Sequence, residues 1–211
     1  MEALAAGAAL GVLLGLAALL RASDARLAVL GLGLVLLAAP LLAPTGSPGG
    51  LGFRVVSAIM ATFLLWRVVR DAGVPLGRPA LGGTLEIAFI VLAAMLGAVA
   101  GPDLLAGPAS TPVTPTSVAA LAATLAIGVA AADLLLFSTD ALRQVAGALL
   151  ALSLGDAALR TLAGAPPATG ELAWGLLVLA AGLVGARLVG AQVAARGDLG
   201  IAARPHEVPG A

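Results

Sequence analysis

The chain has no cysteine and only one histidine among its 211 residues. Without cysteine there is no disulfide framework, no thiolate nucleophile and no cysteine-ligated metal cluster. The single histidine, His206, stands in a polar C-terminal stretch beside Arg204 and Glu207, which favours a solvated side chain over a metal ligand or a catalytic base. The Walker loop, the GxSxG elbow and the HExxH motif are also missing. The sequence therefore predicts no catalytic residue, no metal site and no cofactor-binding site.

Charged residues are scarce as well, at 10% of the chain, against 61% hydrophobic residues and a mean hydropathy of +1.11. Soluble domains carry about 25% charged residues. The formal net charge of zero argues against a nucleic-acid partner, because phosphate binding needs a concentrated basic face. The composition indicates an all-α, polytopic transmembrane helix bundle whose first partner is the lipid bilayer.

Seven apolar runs fill most of the chain, and most are long enough to cross a bilayer. The breaks between them are rich in Pro, Gly, Ser and Thr, as in 44–50 and 107–115, which predicts loops outside the hydrocarbon. The second run is the shortest and has Pro40 near its end, so the sequence leaves open whether it spans fully. The runs are Ala3–Leu20, Leu27–Leu42, Gly52–Val69, Gly82–Ala100, Ser117–Phe137, Ala141–Leu162 and Leu172–Val193.

All eleven basic residues are arginine, and their distribution predicts an orientation, because positively charged flanks stay on the cytoplasmic side. With seven spans and the N-terminus outside, only Arg54 and Arg160 fall on the outer side. Dropping the second run would place Arg21 and Arg26 opposite the other cytoplasmic arginines. The distribution therefore favours seven spans with a cytoplasmic C-terminus. The arginine-only, alanine-rich composition is typical of GC-rich bacterial genomes, so we expect a multi-pass protein of a bacterial inner membrane.

Small residues predict where helices approach each other closely. Gly7, Gly11 and Gly15 recur at a spacing of four in the first run and therefore share one helix face. Such faces let the backbones of transmembrane helices pack against each other. We expect this face to contact a neighbouring helix.

Carboxylates at bilayer depth are costly and need a partner, a water-filled cavity or a place near the interface. Glu86 and Asp133 each lie about one turn from a cytoplasmic end, in the fourth and fifth runs. At similar depth on neighbouring helices they could share a proton or form a short polar relay. The simpler interpretation is that both lie at the headgroups and pair with nearby arginines.

Asp156 lies deeper, in the sixth run, and Arg160 follows four residues later on the same helix face. This spacing predicts a structural ion pair, and the alternative is a polar contact to a neighbouring subunit. Arg54, at the outer start of the third run, is expected to extend its side chain to the headgroups and to carry no chemistry.

From Ser117 onward the layout resembles a known family. A span, a turn with the pattern Leu142-Arg143-Gln144-x-x-Gly147, two further spans and a polar tail resemble the K-type subunit of respiratory complex I. With four preceding spans, the whole chain is similar to component E of hydrogenase-4-type membrane complexes. The resemblance implies four N-terminal spans in 1–100, a three-span K-like unit in 117–195 and a cytoplasmic tail in 196–211.

The family places a glutamate in the middle of each of two helices for proton translocation, and this chain has no acid in the matching stretches, 147–152 and 179–184. The resemblance therefore implies a structural or auxiliary subunit of an NADH-quinone oxidoreductase-like or hydrogenase-4-like assembly, with other membrane subunits as partners and no catalysis of its own. The alternatives are a small secondary transporter or channel using Glu86 and Asp133, and a membrane scaffold. An inverted internal repeat would favour transport, and none is evident in the sequence.

Overall fold

The structure is a computed structural model that describes residues 2–42, 47–72, 76, 83–105, 115–163 and 167–197. The tail with His206 and most of the proline-rich break at 107–115 lie outside the described residues. All regular elements within the described ranges are helical. They are α1 (Glu2–Arg21), α2 (Ala25–Ala38), a short 3₁₀ helix (Ala39–Leu41), α3 (Pro48–Ala72), α4 (Gly83–Leu105), α5 (Pro115–Leu136), α6 (Ala141–Ala163) and α7 (Ala168–Arg196).

Five of these helices, α1, α3, α5, α6 and α7, are long and apolar enough to cross a membrane by length and composition. The apolar segments of the other two are shorter, at Ala25–Leu41 and Thr84–Ala100. Many leucine, valine, methionine and phenylalanine side chains are exposed on the outside of the bundle, with Val99 of α4 at 78%. A large apolar exterior of this kind indicates a surface that contacts lipid or other membrane helices.

The second apolar run forms a short α-helix because it has a cap at one end and a proline near the other. Asp24 accepts a hydrogen bond from the Arg26 backbone N–H at 2.9 Å and thereby caps the start of α2. Pro40 has no backbone N–H and cannot continue the α-helical hydrogen bonding. The helix therefore ends at Ala38 and continues as the 3₁₀ turn.

The helices form two rows that lie side by side. In one row α2 packs between α1 and α3, and in the other α6 packs between α5 and α7. Equivalent helices face each other across the rows, since α1 contacts α5, α2 contacts α6 and α3 contacts α7 most extensively. In the α3–α7 contact, Gly182 meets Ala61 and Gly190 meets Val68. The residue numbers increase in the same direction along the two helices at these contacts, so α3 and α7 are parallel.

The two rows repeat one packing unit, and individual contacts recur at equivalent positions. A Cβ added at Gly31 of α2 would lie 2.6 Å from the backbone nitrogen of Leu19 in α1. A Cβ added at Gly147 of α6 would lie 3.1 Å from the backbone nitrogen of Leu135 in α5. The two pairs have the same separation along the chain, so the α1–α2 and α5–α6 hairpins have the same register at this contact. Since α4 returns the chain before the second row begins, this internal repeat is parallel and not inverted.

Candidate functional site

Four buried charged residues from three helices form one cluster, which we call the four-charge cluster: Arg54 of α3, Asp156 and Arg160 of α6, and Glu171 of α7. Arg54 is 5% exposed, Arg160 5%, Asp156 8% and Glu171 0%. The Arg54 Nη2 pairs with Asp156 Oδ2, and its Nε lies 3.4 Å from Glu171 Oε2. Arg160 Nε lies 3.2 Å from Asp156 Oδ1, and Arg160 Nη2 donates to Glu171 Oε2 at 2.6 Å. Each guanidinium thus contacts both carboxylates.

The local sequence explains how the cluster forms. Asp156 and Arg160 are four residues apart on α6 and lie on one face. Glu171 lies in the first turn of α7, where a negative charge is favoured by the helix dipole. Gly50 allows α3 to approach the start of α7 closely, because a Cβ at this position would lie 2.8 Å from the Glu171 Cβ. Arg54 follows Gly50 by one turn and therefore reaches the same side.

The position of Arg54 corrects the expectation from the sequence. Its side chain was expected to extend to the headgroups, and the structure instead buries it against Asp156 and Glu171. A buried arginine must be paired with an opposite charge because an isolated buried charge is very costly. Glu171 was not among the residues predicted from the sequence to have a role. The sequence feature that could have indicated Glu171 is an acid in the first turn of an otherwise apolar helix. An acid at this position is ordinarily interpreted as part of a solvated helix end.

The cluster is balanced, with two guanidinium groups against two carboxylates. Arginine keeps its proton under all ordinary conditions, so the guanidiniums cannot relay protons between the carboxylates. Two buried atoms of the cluster, Arg54 Nη1 and Glu171 Oε1, have no hydrogen-bond partner among the described residues. The arrangement can hold α3, α6 and α7 together, and as a set of mutually paired charges it is suited to structure more than to acid–base chemistry.

Glu86 and Asp133 lie at the same end of the α4–α5 hairpin. A Cβ at Gly97 of α4 would lie 2.6 Å from the Cα of Ala122 in α5. Glu86 precedes Gly97 by eleven residues, and Asp133 follows Ala122 by the same number. In two antiparallel helices with equal rise per residue, this register places both carboxylates at one level. Glu86 is 4% exposed, and the Asp133 Oδ1 is buried without a hydrogen-bond partner in the described part of the chain.

The turn between α5 and α6 is held by the residues of the Leu-Arg-Gln-x-x-Gly pattern. Arg143 Nη2 donates to the carbonyl of Ala22 at the end of α1, at 3.3 Å. Gln144 Nε2 donates to the Ser138 carbonyl at 3.0 Å and closes the turn. Gly147 allows α6 to approach α5, as described above. Every named polar or glycine residue of the pattern therefore has a structural contact in this chain.

The glycine face of α1 packs on α2 over part of its length. A Cβ at Gly15 would lie 2.7 Å from the Gly31 carbonyl oxygen, and one at Gly11 would lie 3.3 Å from the Ala38 Cβ. At Gly7 nothing lies within 4 Å of the position of an added Cβ. The close contact of α1 with α2 therefore involves the second and third glycines of the stripe.

Comparison of the chain with protein-family models, with curated proteins and with solved structures finds no match.

Proposed function

We propose that this chain is an integral membrane subunit of a respiratory assembly of the hydrogenase-4 or complex I type, in a bacterial inner membrane. Its role is mainly structural and auxiliary to proton translocation by larger subunits. In this proposal all seven helices cross the membrane, with the N-terminus outside and the C-terminus in the cytoplasm. The chain has no catalytic activity of its own and acts through helix–helix contacts with its neighbours.

The observation that carries this proposal is the four-charge cluster. Its carboxylates, Asp156 and Glu171, are the two acids within helices α6 and α7, and each contacts two guanidinium groups. These ion pairs connect α6 with α3 and with α7. The acids that this part of the chain retains thus serve to join helices.

The resemblance of residues 117–195 to the K-type subunit gives the proposal its class of assembly. The pattern Leu142-Arg143-Gln144-x-x-Gly147 fixes the α5–α6 turn and ties it to α1 through Arg143. The mid-helix stretches that carry glutamates in the family carry none in this chain. A subunit that keeps the family's turn and lacks its acids fits a structural position in such an assembly.

The exposed apolar surface supports a position within a larger assembly or in lipid. Along α4 one face is exposed from Leu85 to Val99, and in the described residues this helix packs mainly on α5 and slightly on α1. The exposed residues include Leu85, Phe89, Leu92, Leu96 and Val99. Such a face can contact the helices of a neighbouring membrane subunit without any change in the fold.

Purification of the tagged chain from its native membrane in a mild detergent tests the proposal. We expect antiporter-like and hydrogenase-like or quinone-oxidoreductase subunits to co-purify in fixed ratio and to be identified by mass spectrometry. Deletion of the gene should then lower the amount of the assembled complex. Recovery of the chain as a free monomer or as a homo-oligomer, together with normal assembly in the deletion strain, would refute the proposal.

The shared level of Glu86 and Asp133 favours a second candidate function, a small transporter or channel in which these carboxylates carry a proton or a cation. Carboxylates within transmembrane segments are rare and often mark ion or proton pathways. This candidate differs from the first because it requires flux through the isolated chain.

A further inference from the structure

We propose that one buried water molecule binds in a small cavity beside the four-charge cluster and completes the hydrogen bonding of Arg54. The cavity has a volume of about 20 Å³ and lies between the end of α2, α3, α6 and α7. Its lining includes Leu36, Pro40, Arg54, Ser153 and Gly175. A cavity of roughly 10–15 Å³ is enough to hold a single water, so this cavity has room for one molecule.

The donor to this water is Arg54 Nη1. The other two nitrogens of the guanidinium are engaged, Nη2 with Asp156 and Nε with Glu171. Nη1 is buried and has no hydrogen-bond partner among the described residues, and the Arg54 side chain lines the cavity. A buried donor of this kind is nearly always satisfied by a protein group or by an ordered water.

Two residues of the cavity lining, Leu36 and Ser153, carry groups that can accept a hydrogen bond from the water. Pro40 has no backbone N–H, so the carbonyl of Leu36, one turn earlier, lacks the donor that a regular α-helix would supply. Ser153 Oγ donates to the Leu149 carbonyl at 3.1 Å and keeps its lone pairs free to accept. A water that accepts from Arg54 and donates to Leu36 and Ser153 has three partners, the usual number for a buried water.

The equal numbers of positive and negative groups in the four-charge cluster favour an uncharged molecule in the cavity. Arg54 and Arg160 already face Asp156 and Glu171, so the cluster has equal numbers of positive and negative groups. An anion or a cation in the cavity would add an uncompensated buried charge. Water satisfies the free donor without changing this balance.

X-ray radiolytic labelling of the full chain in lipid nanodiscs tests the proposal. Hydroxyl radicals formed from a bound water oxidise the side chains beside it even when bulk solvent cannot reach them. We expect Pro40 to be oxidised several-fold faster than Leu32, which is also buried, at 1% exposure, and does not line the cavity. Oxidation of Pro40 at the same slow rate as Leu32 would overturn the proposal.

A pair of matched variants identifies the source of the labelling. Ser153→Ala removes one partner of the water, and we expect it to lower Pro40 oxidation several-fold. Thr124→Ala removes a hydroxyl of α5 that donates to its own i−4 carbonyl in the same way, at 2.8 Å, and it should leave Pro40 oxidation unchanged. An equal effect of both variants would assign the labelling to general loosening of the bundle and would overturn the site.

A density map of the wild-type chain that resolves other ordered waters provides an independent readout. We expect a peak within hydrogen-bond distance of Arg54 Nη1.

Discussion

Arg54 of α3 and Asp156 of α6 form an ion pair that joins the two rows of helices. The two residues lie in different halves of the internal repeat, and the pairing is buried at both ends, with side-chain exposures of 5% and 11%. Arg160 and Glu171 belong to the second row and pair with each other at 2.6 Å. Arg54 is therefore the one member of the four-charge cluster that comes from the first row, and its charge ties that row to the second.

Asp156→Asn should destabilise the bundle strongly. The substitution leaves two guanidinium groups against the single carboxylate of Glu171, and breaking a buried ion pair on one side typically costs about 3–5 kcal/mol. The measurement is the free energy of unfolding in detergent micelles, followed by helical circular dichroism against a denaturant.

The double variant Arg54→Leu with Asp156→Leu is the control for that prediction. It removes one positive and one negative charge and leaves the Arg160–Glu171 pair intact. Replacing a buried pair by apolar residues of similar volume is often neutral, so the double variant should be clearly more stable than Asp156→Asn. If the double variant is the less stable of the two, charge imbalance is not the cause of the loss.

Gly15→Ala and Gly7→Ala should change stability in opposite directions, although both glycines belong to one stripe on α1. At Gly15 an added Cβ would meet the Gly31 carbonyl oxygen and the Val35 Cγ2, each at 2.7 Å, so α1 and α2 must move apart. Overpacking of this kind costs about 1–3 kcal/mol. At Gly7 the new Cβ meets nothing within 4 Å, and an alanine in a helix gains about 0.5–1 kcal/mol over glycine. Unfolding of both variants under identical detergent conditions tests this, and equal losses would contradict the contact.

The sequence predicted the helical class and the approximate position of every helix, because in a chain this hydrophobic each long apolar run forms one helix. It also predicted the Asp156–Arg160 pair, which follows from spacing on a single helix. The pairing of Arg54 and Glu171 could not be predicted, because each of them pairs with residues of other helices, and only tertiary packing brings these residues together.

The parallel repeat was missed although part of it is present in the sequence. Leu19, Leu20, Asp24, Ala25 and Gly31 recur at the same spacing as Leu135, Leu136, Asp140, Ala141 and Gly147. The contacts of Gly31 with Leu19 and of Gly147 with Leu135 place the two stretches at equivalent positions in the fold.

Single-cysteine variants should establish the proposed topology, and the absence of native cysteine makes each of them specific. Ser23→Cys and Thr139→Cys lie in the turns after α1 and α5, and Gly49→Cys and Thr169→Cys lie at the starts of α3 and α7. All four positions are exposed. A membrane-impermeant maleimide should label the second pair in intact cells or spheroplasts, and the first pair only after the membrane is opened. Labelling of Ser23→Cys and Gly49→Cys from the same side would show that α2 does not cross the membrane.

Flux through the purified chain separates the two candidate functions. If the chain is a structural subunit, liposomes that contain it should show the same proton leak as empty liposomes under a potassium diffusion potential, measured with an internal pH-sensitive dye. If Glu86 and Asp133 form an ion site, the wild type should instead show a leak that Asp133→Asn and Glu86→Gln each abolish. Asp24→Asn is the matched control, because Asp24 is an exposed carboxylate that caps α2 at a turn between helices. A leak that is lost in the first two variants and kept in the third would replace the structural proposal with transport, since a carboxylate that only stabilises the hairpin has no reason to control the passage of protons.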